Sequence, residues 1–110
     1  MTITSVFMAT ALARVSLFHF ILTDDSGQTF TKLWIKPHSQ EAWGKDYLHG
    51  KPLKTSESLT VFGNGATGAQ WDLRVQYGKR YEVFENLELP KLKKVTILIN
   101  EGKWDAHFEE

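Results

Sequence analysis

Residues 69–77 read AQWDLRVQY, and they alternate without a break. Trp71, Leu73, Val75 and Tyr77 fall on one face and Gln70, Asp72, Arg74 and Gln76 on the other, the period of a strand with one side buried. The next residues, GKRYEVFENL, supply its partner strand, and the turn between them sets the register. A two-residue turn at Gly78-Lys79 would place Arg80 opposite Tyr77 and Glu82 opposite Val75, charges on an apolar face. A three-residue turn, Gly78-Lys79-Arg80, pairs Tyr77 with Tyr81 and Val75 with Val83, and the facing rule therefore favours it.

The same signals extend in both directions. Toward the carboxyl end, Pro90 and the basic Lys91, Lys93 and Lys94 lead into a last hairpin. A two-residue turn at Glu101-Gly102 pairs Ile99 with Trp104, Ile97 with Ala106 and Val95 with Phe108, apolar on apolar. Toward the amino end, residues 58–62 form a short strand, and residues 63–68 (GNGATG) form an inter-strand loop. Residues 15–23 (VSLFHFILT) and 28–36 (QTFTKLWIK) read as strands joined into a first hairpin by Asp24-Asp25-Ser26-Gly27. In the second of these, Thr31, Leu33 and Ile35 share one face, with Lys32, Trp34 and Lys36 on the other. Pro37 ends it. Residues 39–48 (SQEAWGKDYL) carry helical spacing, with Ser39 as a cap, Glu41 in the first turn and Trp43, Tyr47 and Leu48 near one face. The expectation there is one or two helical turns docked near Trp34.

This pattern implies an all-β chain: an antiparallel two-sheet β-sandwich of about seven strands, immunoglobulin-like in layout, with one short helical connection. Its expected core includes Trp71, Leu73, Val75, Val83, Ile97, Ile99 and Trp104. The chain has 110 residues, which fits one sandwich domain over residues 14–110 and leaves no room for a TIM barrel or a two-domain nucleotide enzyme. Residues 1–13 (MTITSVFMATALA) are uncharged and end in the small-x-small pattern that a signal peptidase accepts. They lack a basic n-region, and Thr4, Ser5 and Thr10 interrupt them, so they read as a degenerate signal peptide or an extra strand. Cytoplasmic and exported locations both stay open.

Thirteen basic residues balance thirteen acidic ones, which removes the electrostatic case for nucleic acid. No stretch reads as a membrane span. Without cysteine there is no disulfide framework, thiolate metal site or cysteine nucleophile. His19, His38, His49 and His107 show no metal-binding spacing, although His38 and His49 flank residues 39–48 and could approach in space. No serine lies in a nucleophile motif, and the glycines of residues 63–68 precede a strand rather than a helix, so no phosphate loop is implied. Asp24-Asp25-Ser26 reads first as turn chemistry and second as oxygen ligands for calcium, with Asp72 and Asp105 as further candidates. Asp72 and Arg74 are spaced for an exposed ion pair on one strand face. The residues that point most directly to recognition are Trp34, Trp43, Tyr47 and Arg74, large aromatics and an arginine on polar registers.

The segments SGQT (residues 26–29), WGKDYL (43–48), ESL (57–59), WDLRV (71–75) and Tyr81-Glu82 resemble, in order, the motifs SGxTI, WGxDxL, a turn before a strand, YDLRV and a hairpin closing on YE. These occur in a group of small bacterial β-sandwich domains. Trp71 stands where the group has Tyr, and Ser56-Glu57-Ser58 where it has a glycine-containing turn. The resemblance implies the sandwich fold and a bacterial origin, and assigns no catalytic residue, metal or cofactor. The functional expectation is a non-catalytic module that binds another protein or a second copy of itself. A small-ligand domain taking calcium or a saccharide is the alternative.

Overall fold

The computed structural model describes residues 17–65 and 68–110. Residues 1–13, with the two readings made of them, lie outside the described residues, as does part of the 63–68 loop. Seven strands and a single 3₁₀ turn follow in the order β1 (Leu17–Asp25), β2 (Lys32–Pro37), β3 (Ser58–Asn64), β4 (Trp71–Tyr77), β5 (Arg80–Leu87), the 3₁₀ turn (Leu89–Lys91), β6 (Lys94–Asn100) and β7 (Lys103–Glu109). They form two sheets, β3-β1-β6-β7 and β2-β4-β5, and the chain is the all-β sandwich its alternation implies. Among the described residues, no helix is long and apolar enough to cross a membrane.

The core lies between the sheets. Phe18, Phe20 and Leu22 of β1 and Val95 and Ile97 of β6 meet Leu33 and Ile35 of β2 and Trp71, Leu73 and Val75 of β4. Each set is one face of a period-2 strand, so the alternation of β4 translates directly into burial. Of the expected core, Trp71, Leu73, Val75 and Ile97 are buried, while Ile99 is half-buried and Trp104 packs against the core as a partly buried ring. Val83 is the exception, at 44% exposure.

That exception has a register cause. Tyr77 pairs with Arg80, Val75 with Glu82 and Arg74 with Val83, so the turn is the two-residue Gly78-Lys79. Gly78 has φ 58°, the positive value that the first central residue of a tight hairpin turn needs. Turn chemistry therefore outweighs the facing rule, because β5 is a sheet edge where Glu82 reaches solvent at the sandwich margin. Tyr81 and Val83 turn to the outer face. In the last hairpin the two signals agree: Ile99 pairs with Trp104, Ile97 with Ala106 and Val95 with Phe108, across Glu101 and Gly102 with φ of 52° and 77°.

The expected first hairpin is a crossover instead. β1 is flanked by β3, antiparallel, and by β6, parallel, so neither of its edges is open to β2. Asp24, fully buried, still performs the expected turn chemistry: its Oδ1 accepts the Ser26 amide at 3.0 Å and the Ser26 hydroxyl at 2.7 Å. Burial raises the Asp24 carboxyl above its usual value, against the two Ser26 bonds that lower it and with help from Asp25 and Glu57. The chain then passes Phe30, whose amide and carbonyl pair with those of Leu53, and enters the other sheet.

Residues 39–48 contain no helix, and the short helical connection is the turn at Leu89–Lys91. Gly44 takes φ 79°, which interrupts any right-handed helix there. The Asp46 carboxylate accepts the Leu33 amide at 3.0 Å and the Leu48 amide at 2.9 Å, and the Tyr47 amide donates to the Leu33 carbonyl at 2.6 Å. The free edge of β2 has thus captured the backbone groups that a helix would pair internally.

Leu73→Ala removes a fully buried side chain between the sheets and should cost roughly 2 to 5 kcal/mol. Val83→Ala, on the exposed outer face, should stay within about 0.5 kcal/mol of wild type. Urea unfolding of both variants measures the contrast, and equal losses would show that β5 is turned over.

Candidate functional site

The outer face of the β2-β4-β5 sheet carries the side chains that the inner face rejects. β4 presents Asp72, Arg74 and Gln76 there, each opposite a β2 residue of the same register: Lys36 faces Asp72, Trp34 faces Arg74 and Lys32 faces Gln76. On the other side, β5 places Val83 beside Arg74 and Tyr81 beside Gln76. Residues 38–46 fold back over this surface and bring Trp43 onto it.

Two groups result. In the first, the Asp72 carboxylate, almost fully buried, accepts Lys36 Nζ at 3.1 Å, His38 Nδ1 at 2.8 Å and the Asn86 amide at 3.1 Å. Burial alone would raise the Asp72 carboxyl, but the bonds from His38, Asn86 and Lys36 and the Lys36 charge hold it below its usual value. Lys36 Nζ also donates to the carbonyls of Gln40 at 2.6 Å and His38 at 3.4 Å, which pins residues 38–40 against the sheet.

In the second group the Arg74 guanidinium lies 4.1 Å from the Trp34 ring centroid, 4.7 Å from that of Trp43 and 4.9 Å from that of Tyr81. Three π faces surround one cation, an arrangement that favours Arg for its planar shape and weak hydration. Lys36 Nζ approaches the Trp43 ring as well, at 5.0 Å. Among the described residues Arg74 has no carboxylate partner, and its buried Nε has no hydrogen-bond acceptor. The expected Asp72–Arg74 pair is not formed, because Asp72 turns to its cross-strand neighbour Lys36.

Three of the four aromatic and arginine candidates, Trp34, Trp43 and Arg74, therefore meet on one surface. Tyr47 stands apart from them. It packs against the core, lies 4.7 Å from Lys45 Nζ by its ring centroid and lines a cleft of about 640 Å³ with Leu48, His49, Pro52, Leu53 and Leu59. Burial raises its phenol above the usual value. Trp34 is covered, whereas Tyr81 and Val83 are 53% and 44% exposed, so the surface is covered over β2 and β4 and bare over β5. Tyr81 was hidden from the sequence by the assumed turn. Its signal is the Gly-X turn itself, which fixes the register once β5 is known to be an edge.

His38 and His49 are not brought together; His38 joins Asp72 while His49 lines the cleft. His38, Asp72 and Glu85 form the one grouping among the described residues whose ligand atoms lie within 4.8 Å of one another. Lys36 Nζ already sits on Asp72 Oδ2 and opposes a second cation there. Of the calcium candidates, Asp72 is committed to Lys36 and His38, and Asp105 accepts its neighbouring amide and faces His107 on β7. The chain matches no protein-family model, no curated protein and no solved structure. The class that fold and site define is an all-β sandwich with an aromatic-arginine face.

A carboxyl held below its usual 3.8 stabilises the fold above that value, and the contribution is lost as pH falls through the folded pKa. Asp72→Asn leaves Lys36 buried without its anion and should cost about 3 to 5 kcal/mol at neutral pH. The difference from wild type should hold down to about pH 4 and close below it. Urea titrations at stepped pH test this, and a difference that persists undiminished in acid would show that the charge of Asp72 is not what is lost.

Proposed function

We propose that this chain is a non-catalytic binding module whose recognition surface is the outer face of the β2-β4-β5 sheet and its β5 margin, with another protein or a second copy of itself as its partner. The observation that carries the reading is the Arg74 guanidinium, held among Trp34, Trp43 and Tyr81 with no carboxylate partner among the described residues, next to exposed Tyr81 and Val83. Arginine and aromatic side chains in a rigid cluster are the residues that anchor protein interfaces. An exposed apolar margin beside them is the surface that such an interface covers. A bacterial origin, shared with the sandwich domains that the motifs resemble, and an immunoglobulin-like layout belong to the same proposal.

The site chemistry supports the non-catalytic part. His38 and Asp72 form the orienting half of an acyl-transfer triad, but no hydroxyl bonds His38 among the described residues. The neutral charge gives no support to a nucleic-acid partner. Calcium or a saccharide draws less support than protein, since the Asp72 carboxylate is committed to Lys36 and His38 and Trp34 is covered by Arg74 rather than presented as an open platform.

Tyr81→Ala combined with Val83→Ser removes the exposed margin without touching the core, and Arg74→Lys keeps the charge while losing the planar stack. With immobilised protein and an extract of the source cells, both variants should keep the wild-type circular dichroism and lose most of the captured partner. Capture that is unchanged in both variants would remove this face from the reading.

A further inference from the structure

We infer that a second copy of the chain joins this sheet edge to edge through β5, alongside the recognition face, in an antiparallel pair centred on Val83; the inference deepens the binding reading and rests on it. The sheet has two edges, and among the described residues only one is open. β2 is closed by Asp46 and Tyr47, which bond the Leu33 amide and carbonyl. Among the described residues β5 has β4 as its one strand neighbour. The two-residue turn makes Tyr77 and Arg80, Val75 and Glu82, and Leu73 and Phe84 the hydrogen-bonded pairs, so the amides and carbonyls of Tyr81, Val83 and Glu85 point away from β4. These are also the residues whose side chains lie on the outer face. Beyond Glu85 the ladder breaks: Asn86 takes φ 60° and the register shifts between Trp71 and Leu73.

The usable edge is therefore the five residues YEVFE, and it is complementary to itself about its middle residue. A two-fold axis at Val83 sets Val83 against Val83 of the second copy, and Tyr81 against Glu85 of the second copy on both sides. Three hydrogen-bonded pairs form about six inter-chain bonds and join two three-stranded sheets into one of six. The other strand edges are less suited. β7 presents Lys103, Asp105, His107 and Glu109 outward, the charges that discourage edge pairing, and β3 presents Ser58, Thr60 and Asn64 around Phe62. The contact is small, so the dimer should be reversible and weak.

The chain has no cysteine, so a single introduced thiol reports one position. Val83→Cys should cross-link rapidly under mild oxidation, since hydrogen-bonded partners lie about 5.5 Å apart at Cα, within disulfide range. Tyr81→Cys mixed with Glu85→Cys should give the mixed dimer, whereas either alone should cross-link no faster than Asp105→Cys on β7. Wild-type protein, which needs no substitution, should show a concentration-dependent dimer in sedimentation velocity. A wild-type chain that stays monomeric at millimolar concentration, or Val83→Cys no faster than Asp105→Cys, overturns the second-copy inference. If partner capture in that case still depends on Tyr81, Val83 and Arg74, the binding reading stands with another protein in place of the copy; if capture is also independent of them, both fall.

Discussion

The Asp72 carboxylate is the point at which three separate pieces of the outer face meet. It takes Lys36 from β2, His38 from the loop after β2 and the Asn86 amide from the end of β5. These donors hold the buried Asp72 carboxylate in place, because a charge left unpaired in the interior would cost more than a bond contributes. Lys36, drawn inward as the counter-ion, then spends its remaining donors on the loop carbonyls of His38 and Gln40. The position of Trp43 over Arg74 follows from that anchoring. The aromatic cluster is thus an outcome of an electrostatic requirement two residues away along β4.

How much of this was legible in the sequence depends on whether a signal was local. The alternation of β4 and the Glu101-Gly102 hairpin were readable because a strand period and a tight turn are written in neighbouring residues. The core residues Trp71, Leu73, Val75 and Ile97 followed from them. The partner of β1 was not readable, since pairing with β6 joins residues at opposite ends of the chain. Residues 39–48 misled for a related reason. Their spacing suits a helix, but the edge of β2 competes for the same backbone groups, and that edge exists only after the sheet has formed.

The candidate site divides in the same way. Trp34, Trp43 and Arg74 stand out in the sequence as aromatics and an arginine on polar registers, and they do meet. Tyr47 joins them only if residues 39–48 are helical, and in the non-helical segment it lies elsewhere. The facing rule turns Tyr81 inward, but it fails on β5, whose inner face reaches the sandwich margin. The Lys36–Asp72 pair required knowing that β2 lies against β4 in a register that sets those two residues opposite each other.

The parallel ladder between β1 and β6 also bears on the order in which the molecule assembles. The β2-β4-β5 sheet closes within one continuous stretch of chain, from Lys32 to Leu87. The larger sheet must wait until Lys94 is in hand to pair with Ile21, so its central strand is made first and seated last. Loop-closure entropy makes so distant a contact slow to form. During synthesis on the ribosome, the smaller sheet with its arginine face is able to form while β1 still lacks one neighbour. Until the last hairpin emerges, the edge of β1 that β6 later covers, from Ile21 to Asp25, is the part of the fold most open to pairing with other chains.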